Sequence, residues 1–448
     1  MNKPLLLLMA PVNTVSGYGA RSRDVAQALI ASDKYDVRIF PTRWGSTPQN
    51  YLNLQDEKDK LILDRCMNGD QLERKPDIFI QITVPNEFQP MGNVNIGITA
   101  GIETTVAAAP WIEGCNRMDL VLTSSEHSKK VLQNSHWQLH DQQTKQPKGL
   151  LKLEKPIEVL FEGVDADTYF KTKEIHKSVD DQLKQVKENF AFLFVGHWLK
   201  GDFGEDRKNV SAMIRTFIET FKNKSSKNQP ALILKTSHSD FSPIDKAELF
   251  SKLEQLYRAC EGGTHRNRLP NIYLIHGDLT NDEMNSLYNH PKVKAHVTFT
   301  KGEGYGRPLA EASLSEKIII APNWGGHVDF VKHSIQLPGG LTNVHESAAW
   351  DQVILKESQW FTVDYAQASA ALKYAADKKH AKATSVLAKR QAKTVKDGFM
   401  FEHMCAKLEE YMEKYAKVAE PVALKLPKLE KKDELSKLKL PKLKKQEA

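Results

Sequence analysis

Short apolar runs alternate along this chain with longer stretches whose apolar residues recur at helical spacing. In the first part, residues 5–12, 35–40, 78–82, 94–99, 120–123 and 157–161 read as strands bounded by polar turns. Asn13-Thr-Val-Ser-Gly-Tyr-Gly19 breaks the first strand, and Val25, Leu29 and Ile30 then mark a helix. Ser125 is placed to cap a helix carrying Val131 and Leu132. Residues 138–155 are polar and lysine-rich and read as a loop, and Glu162-Gly-Val-Asp-Ala-Asp167 reads as a turn. A second series begins with Phe190-Ala-Phe-Leu-Phe-Val-Gly196, a polar loop over 197–209, and a helix with Met213, Ile214, Phe217 and Phe221 on one face. Strands follow at 231–235, 272–276, 295–300 and 318–321. The helices between them are opened by Ser242-Pro243 and by the capping box Thr280-Asn-Asp-Glu283. Residues 365–417 are alanine- and lysine-rich and read as mostly helical.

Two series that each open with a glycine turn after an apolar strand predict an α/β chain of two Rossmann-like, doubly wound domains facing a cleft. The expected division is 1–170 for the first domain, 171–189 for a polar linker, and 190–396 for the second domain. Residues 397–417 form a last helix able to cross back to the first domain, and 418–448 a tail.

Composition narrows the class. At 448 residues, 40% apolar and 27% charged, the chain is a globular protein with more than one core. Cys66, Cys115, Cys260 and Cys405 lie far apart without metal or redox spacing, which fits a reducing, cytoplasmic setting. The apolar start runs straight into a glycine turn and reads as a buried strand rather than an export segment. Of the net charge of +7, residues 417–448 carry ten lysines against five acids, so the body is near neutral. In that tail Leu424-Lys-Leu-Pro-Lys-Leu recurs at Leu438, and Pro427 and Pro441 block a continuous helix. The tail is expected to be flexible and to meet an anionic surface, a nucleic acid or an acidic partner.

The densest candidate chemistry is Thr298-Phe-Thr-Lys-Gly-Glu-Gly-Tyr-Gly-Arg-Pro-Leu-Ala-Glu311. Three glycines break a strand and Pro308 starts a helix, whose free N–H groups attract a phosphate. Glu303 and Glu311 could grip hydroxyls of the same ligand. A phosphate plus several hydroxyls describes a nucleotide-sugar.

On these residues the chain resembles the retaining GT-B glycosyltransferases of glycosyltransferase family 4. The likeness is strongest over 190–331, weaker over 1–170, and absent from the tail. The resemblance implies that Glu303 lies at the transferred sugar and Glu311 at the nucleotide ribose. It implies that the loop Gly304, Tyr305, Gly306 and Arg307 holds the diphosphate. Gly17 and Gly19 match the first-domain phosphate turn, and Gly196 the turn after the first strand of the second domain. His197 stands where the family has arginine. Lys208 matches the family's lysine, and Arg207 either replaces the missing arginine or is a solvated loop charge. His276, Gly277 and Leu279 align with the base contact, and Asn323 and Gly325 with a loop beside the donor sugar. Glu103 is a candidate at the acceptor or sugar side, and the family's first-domain histidine has no counterpart at its usual place.

The implied activity is transfer of a sugar from a nucleotide-diphosphate donor to an acceptor hydroxyl, with retention and without a metal or other cofactor. Asp165-x-Asp167 supplies too few ligands for a metal site and reads as a turn. The acceptor stays open: glycan, lipid, protein, or a hydroxymethylated base in DNA as in viral GT-B enzymes. A nucleotide-sugar epimerase of the same architecture and a non-catalytic module built on the basic tail are the alternatives of other classes.

Overall fold

The computed structural model describes residues 3–417 except 70, 142, 226, 227 and 239, so the tail at 418–448 lies outside the described residues. Strand β1 (Leu5–Ala10) leads through α1 (Gly17–Ala31) to β2 (Asp36–Pro41), and α2 (Glu57–Leu63) to β3 (Ile78–Ile82). Then come β4 (Val94–Thr99), α3 (Ala109–Arg117), β5 (Leu120–Thr123) and α4 (Glu126–Asn134). Next are β6 (Trp137–His140), β7 (Pro147–Leu151) and β8 (Ile157–Val159). The main sheet has the order β2-β1-β3-β4-β5-β8, with every pairing parallel. Such strands are covered on both faces, which is why they are near-continuous in apolar residues.

The second half starts with α5 (Lys177–Leu183), β9 (Ala191–Val195), α6 (Val210–Phe221) and β10 (Ala231–Lys235). It continues with α7 (Pro243–Glu261), β11 (Ile272–Ile275), α8 (Asn281–Asn289) and β12 (Val293–Val297). Then follow α9 (Arg307–Leu314), β13 (Ile318–Pro322), β14 (Ile335–Leu337) and the antiparallel pair β15 (Gly339–Asn343) and β16 (Gln359–Val363). Helices α10 (Tyr365–Ala376), α11 (Ala381–Gly398) and α12 (Phe401–Tyr415) close the described chain. The second sheet has the parallel order β11-β10-β9-β12-β13-β14. The order reverses direction between β9 and β12, and between β1 and β3 in the first sheet. Ligands bind outside the carboxyl ends of strands at such switch points. The glycine stretch after β12 and Gly196 after β9 both stand at the second.

Three readings change. Residues 138–155 are not a plain loop: β6 and β7 pair as an antiparallel hairpin. Trp137 Nε1 donates to the Ala107 carbonyl at 2.9 Å, and Leu151 packs beside it, while the lysines face outward and mask the pattern. The segment expected to be a linker carries α5, whose Val179 and Leu183 are buried in the second half's core. The strand expected at 295–300 is assigned only to Val297, although Thr298 still donates to the Ile320 carbonyl at 3.0 Å.

Two chain crossings run side by side. Val164 bridges Met400: its N–H donates to the Phe399 carbonyl at 3.1 Å and its carbonyl accepts from Phe401 N at 2.9 Å. Met404, Leu408, Tyr411 and Met412 of α12 then join the first half's core. The segment between β15 and β16 also reaches over. Val353 and Leu355 pack on the first half, and Thr105 and Gln359 exchange hydrogen bonds at 2.9 Å. The cleft is therefore closed. Among the described residues no helix is long and apolar enough to cross a membrane.

Candidate active site

Glycines decide how closely the loops at the cleft approach. A Cβ on Gly304 would overlap the Ala100 carbonyl oxygen, one on Gly302 the Glu103 carbonyl oxygen, and one on Gly326 that of Gly304. At 302 and 304 glycine admits the backbone of the facing domain, where the sequence suggested room for a ligand. Gly306 takes a left-handed φ of +97° as it ends the loop and caps α9, a conformation that strains any residue with a Cβ.

Between these loops lies a four-charge cluster. Glu303 is 8% exposed and pairs with Lys208 Nζ; Arg207 Nη1 stands 3.8 Å away. Arg207 also reaches Glu103 of the first domain at 3.3 Å and donates to the Gly302 carbonyl at 3.1 Å. Burial alone would push the Glu303 carboxyl up, but Lys208 and Arg207 outweigh it and hold it at about 2. Burial pulls the Lys208 ammonium below its usual value, partly offset by Glu303. Both cations sit on the loop before α6. Asp206 fixes that loop by accepting from Val210 N at 2.9 Å and Ser211 Oγ at 3.0 Å, and Lys301 N donates to the Arg207 carbonyl at 2.8 Å.

Arg307 leads a second cluster. It is tied to Asp24 of α1 at 2.5 Å, to Glu162 at 3.9 Å and to Glu311 at 3.1 Å. Glu311, 8% exposed, accepts from Tyr288 Oη at 3.0 Å. Burial pushes its carboxyl up to about 7 against the pull of Arg307 and Tyr288. In this closed arrangement Arg307 faces first-domain carboxylates, not an open phosphate position.

The other candidates scatter in role. Gly17 opens α1 behind the Ser16 cap, and a Cβ on Gly19 would overlap the Thr14 carbonyl oxygen. Gly196 follows β9, and His197 Nδ1 meets Ser237 Oγ at 3.1 Å, burial lowering its imidazole to about 4. The His276 side chain points into the protein wall, with Nε2 2.8 Å from Asp245 Oδ2, so only its backbone can face a base. The Gly277 carbonyl accepts from Lys235 Nζ at 2.7 Å, and Leu279 is half-buried against the second half's core. Tyr305 turns into the core against Phe330, with ring centres 4.8 Å apart. Asn323 is exposed, and Gly325, at φ +102°, lies against the Glu303 backbone.

Two histidines stand at the cleft without a role assigned from the sequence, where His127 lies further along than the family's usual first-domain histidine. His127, in the first turn of α4, sits edge-on to Trp324 of the other domain at 4.6 Å and bonds to the Thr104 backbone. Its Nε2 is buried without a partner among the described residues, and burial lowers the ring to about 4. His327 is fully buried, with Nε2 2.7 Å from the Pro322 carbonyl and Nδ1 unpartnered among the described residues. The rule that sites lie past the carboxyl ends of parallel strands could have found His127, which follows β5 directly. Among the described residues no group of three or more His, Cys, Asp or Glu is arranged to hold a metal ion.

No protein-family model and no curated protein sequence matches this chain. Solved structures do. A glycosyltransferase from Rickettsia africae superposes with a TM-score of 0.61 at 13% identity, over 94% of this chain and 100% of that one. Sucrose-phosphate synthase from Thermosynechococcus elongatus gives 0.60 at 13%, over 92% and 99%. The chain has the GT-B fold. Anabaena HepE, solved with UDP and glucose, superposes on this GT-B chain at 0.55 and 12% identity, over 92% and 100%. Within this fold, the Glu303 and Arg307 clusters lie where the two domains meet.

Proposed function

We propose that this GT-B chain is a metal-independent glycosyltransferase that moves a sugar, with retention, from a nucleotide-diphosphate sugar to an acceptor hydroxyl. The observation that carries the reading is the Glu303–Lys208–Arg207–Glu103 cluster, which stands at the switch point of the second sheet and spans the cleft. In the reaction the bond from the anomeric carbon to the diphosphate breaks and the bond to the acceptor oxygen forms, with loss of the hydroxyl proton. The departing diphosphate gains charge. Lys208, Arg207 and the N–H groups at the start of α9 supply the positive potential to stabilise it.

Glu303 is ionised at any working pH, so its role is to accept hydroxyls of the donor sugar and orient it, not to donate a proton. Glu311 is the ribose contact of this reading. Neutral His127 offers a lone pair to a hydroxyl on the first-domain side, beside Glu103. Arg207 to Glu103 and Arg307 to Asp24 are latches across the cleft. Donor binding requires them to open, which frees both cations on the donor side, and reclosure excludes water. The four free thiols support action in a reducing, cytoplasmic setting.

The test is a panel of UDP-, GDP-, ADP- and dTDP-sugars, scored by thermal shift and slow donor hydrolysis. One donor is expected to raise the melting temperature, and Glu303→Gln to abolish its hydrolysis. No shift with any donor, or full hydrolysis by Glu303→Gln, refutes the reading.

A further inference from the structure

The near-neutral body conceals an uneven surface. Residues 373–398 hold eight lysines and arginines against two acids, so the rest of residues 1–416 is net negative. All eight cations are exposed: Lys373, Lys378, Lys379, Lys382, Lys389, Arg390, Lys393 and Lys396. Among the described residues only Lys393 makes an ion pair, with Asp397 at 2.7 Å. At 3.6 residues per turn, Lys382, Lys389, Lys393 and Lys396 fall within about 60° of arc and span about 21 Å of helix axis.

The orientation of this stripe is fixed by the opposite face of α11. Ala388, Ala392 and Val395 are buried there, and Gln391 is fully buried between them. Gln391 Nε2 donates to the Phe330 carbonyl at 3.0 Å, while its Oε1 accepts from Lys332 N and His333 N, both at 2.9 Å. Rotation of α11 is thereby pinned. A merely solvated helix face gains from acids interleaved with its lysines, and like charges one turn apart weaken it. Here the stripe is kept free of acids except at its end.

We infer that the exposed face of α11 is an electrostatic docking surface for the phosphate backbone of a nucleic-acid duplex. A polyanion of that charge density can meet four cations spread along a rigid line, whereas a single phosphate meets one. A membrane is the poorer fit. The apolar face of α11 is used up inside the protein, and Val386 is the sole exposed large apolar residue of that helix. The surface is separate from the Glu303 site and stands whether or not that site transfers sugar.

Fluorescence anisotropy with a labelled 20-base-pair DNA duplex, on the full chain and across a salt series, tests this. Reversal of three cations, Lys389→Glu, Lys393→Glu and Lys396→Glu together, is expected to cut affinity at least tenfold at about 0.1 M salt and to flatten the slope of log K against log salt by about 2.7. The neutral set Lys389→Gln, Lys393→Gln and Lys396→Gln should flatten it likewise, which covers the case of a misfolded reversal. Reversal of two exposed lysines elsewhere, Lys60→Glu and Lys75→Glu, should leave the affinity within twofold. An unchanged slope in the α11 variants overturns the inference, since binding then resides in the tail. So does binding to vesicles of 30% phosphatidylserine without binding to the duplex.

Discussion

Replacing Glu311 by glutamine isolates one buried carboxyl. The side chain accepts from Arg307 Nε at 3.1 Å and from Tyr288 Oη at 3.0 Å. Its amide oxygen can keep the first bond, and its NH₂ can donate to the tyrosine oxygen, so glutamine mimics the protonated acid. Burial raises the native carboxyl from 4.5 to about 7. The folded state therefore binds more protons than the unfolded state between these values, and stability falls as pH rises through that window. The shift of about 2.5 pH units corresponds to about 3 kcal/mol lost by pH 8. Glu311→Gln should match the native chain near pH 4 and exceed its stability by about 3 kcal/mol at pH 8. Urea unfolding followed by tryptophan fluorescence at a series of pH values measures this. Parallel pH profiles, or a variant weaker at pH 8, would refute the reasoning. On the proposed function the gain in stability comes with weaker donor binding, because the strained carboxylate is the one held ready for the ribose.

Two more expectations follow from the cleft. Lys208→Met strips Glu303 of its buried partner and should cost about 3 kcal/mol at pH 7. Glu303, held at about 2, contributes stability that is present above about pH 4.5 and lost as pH falls toward 2, so removing Lys208 should flatten the acid arm and the variant's deficit should close as pH falls toward 2. Urea midpoints between pH 2 and 7 check this, and an unchanged acid arm counts against the pair. Gly304→Ala sets a methyl on the Ala100 carbonyl oxygen and should prop the cleft open while each half folds. Small-angle scattering should show a larger radius of gyration, and donor hydrolysis should fall at least 100-fold; an unchanged radius would count against the close approach.

Much of the architecture was readable because parallel strands buried on both faces must be apolar throughout, and their helices must be amphipathic. The hairpin of β6 and β7 escaped notice because only Trp137 and Leu151 face the core, and outward lysines conceal a two-residue period. Glu303, Lys208, Arg207 and Glu103 were legible as separate residues and are brought together by the fold. The resemblance gives Arg307 a place in the diphosphate loop through its backbone N–H, and the structure adds that its side chain meets Asp24 and Glu162, residues remote in sequence. Nothing local to residue 307 announces those partners.

By itself the sequence determined two strand–helix series, their glycine turns, the capping residues and the charge-dense tail. Each follows from local spacing and backbone chemistry. Tertiary structure alone decided that Gly302 and Gly304 admit a facing backbone, that His127 meets Trp324, that Glu311 is driven to about 7, and that α11 turns its lysines outward. These depend on desolvation and on charges set beside one another by closure of the cleft, and such fields exist only once distant segments have met.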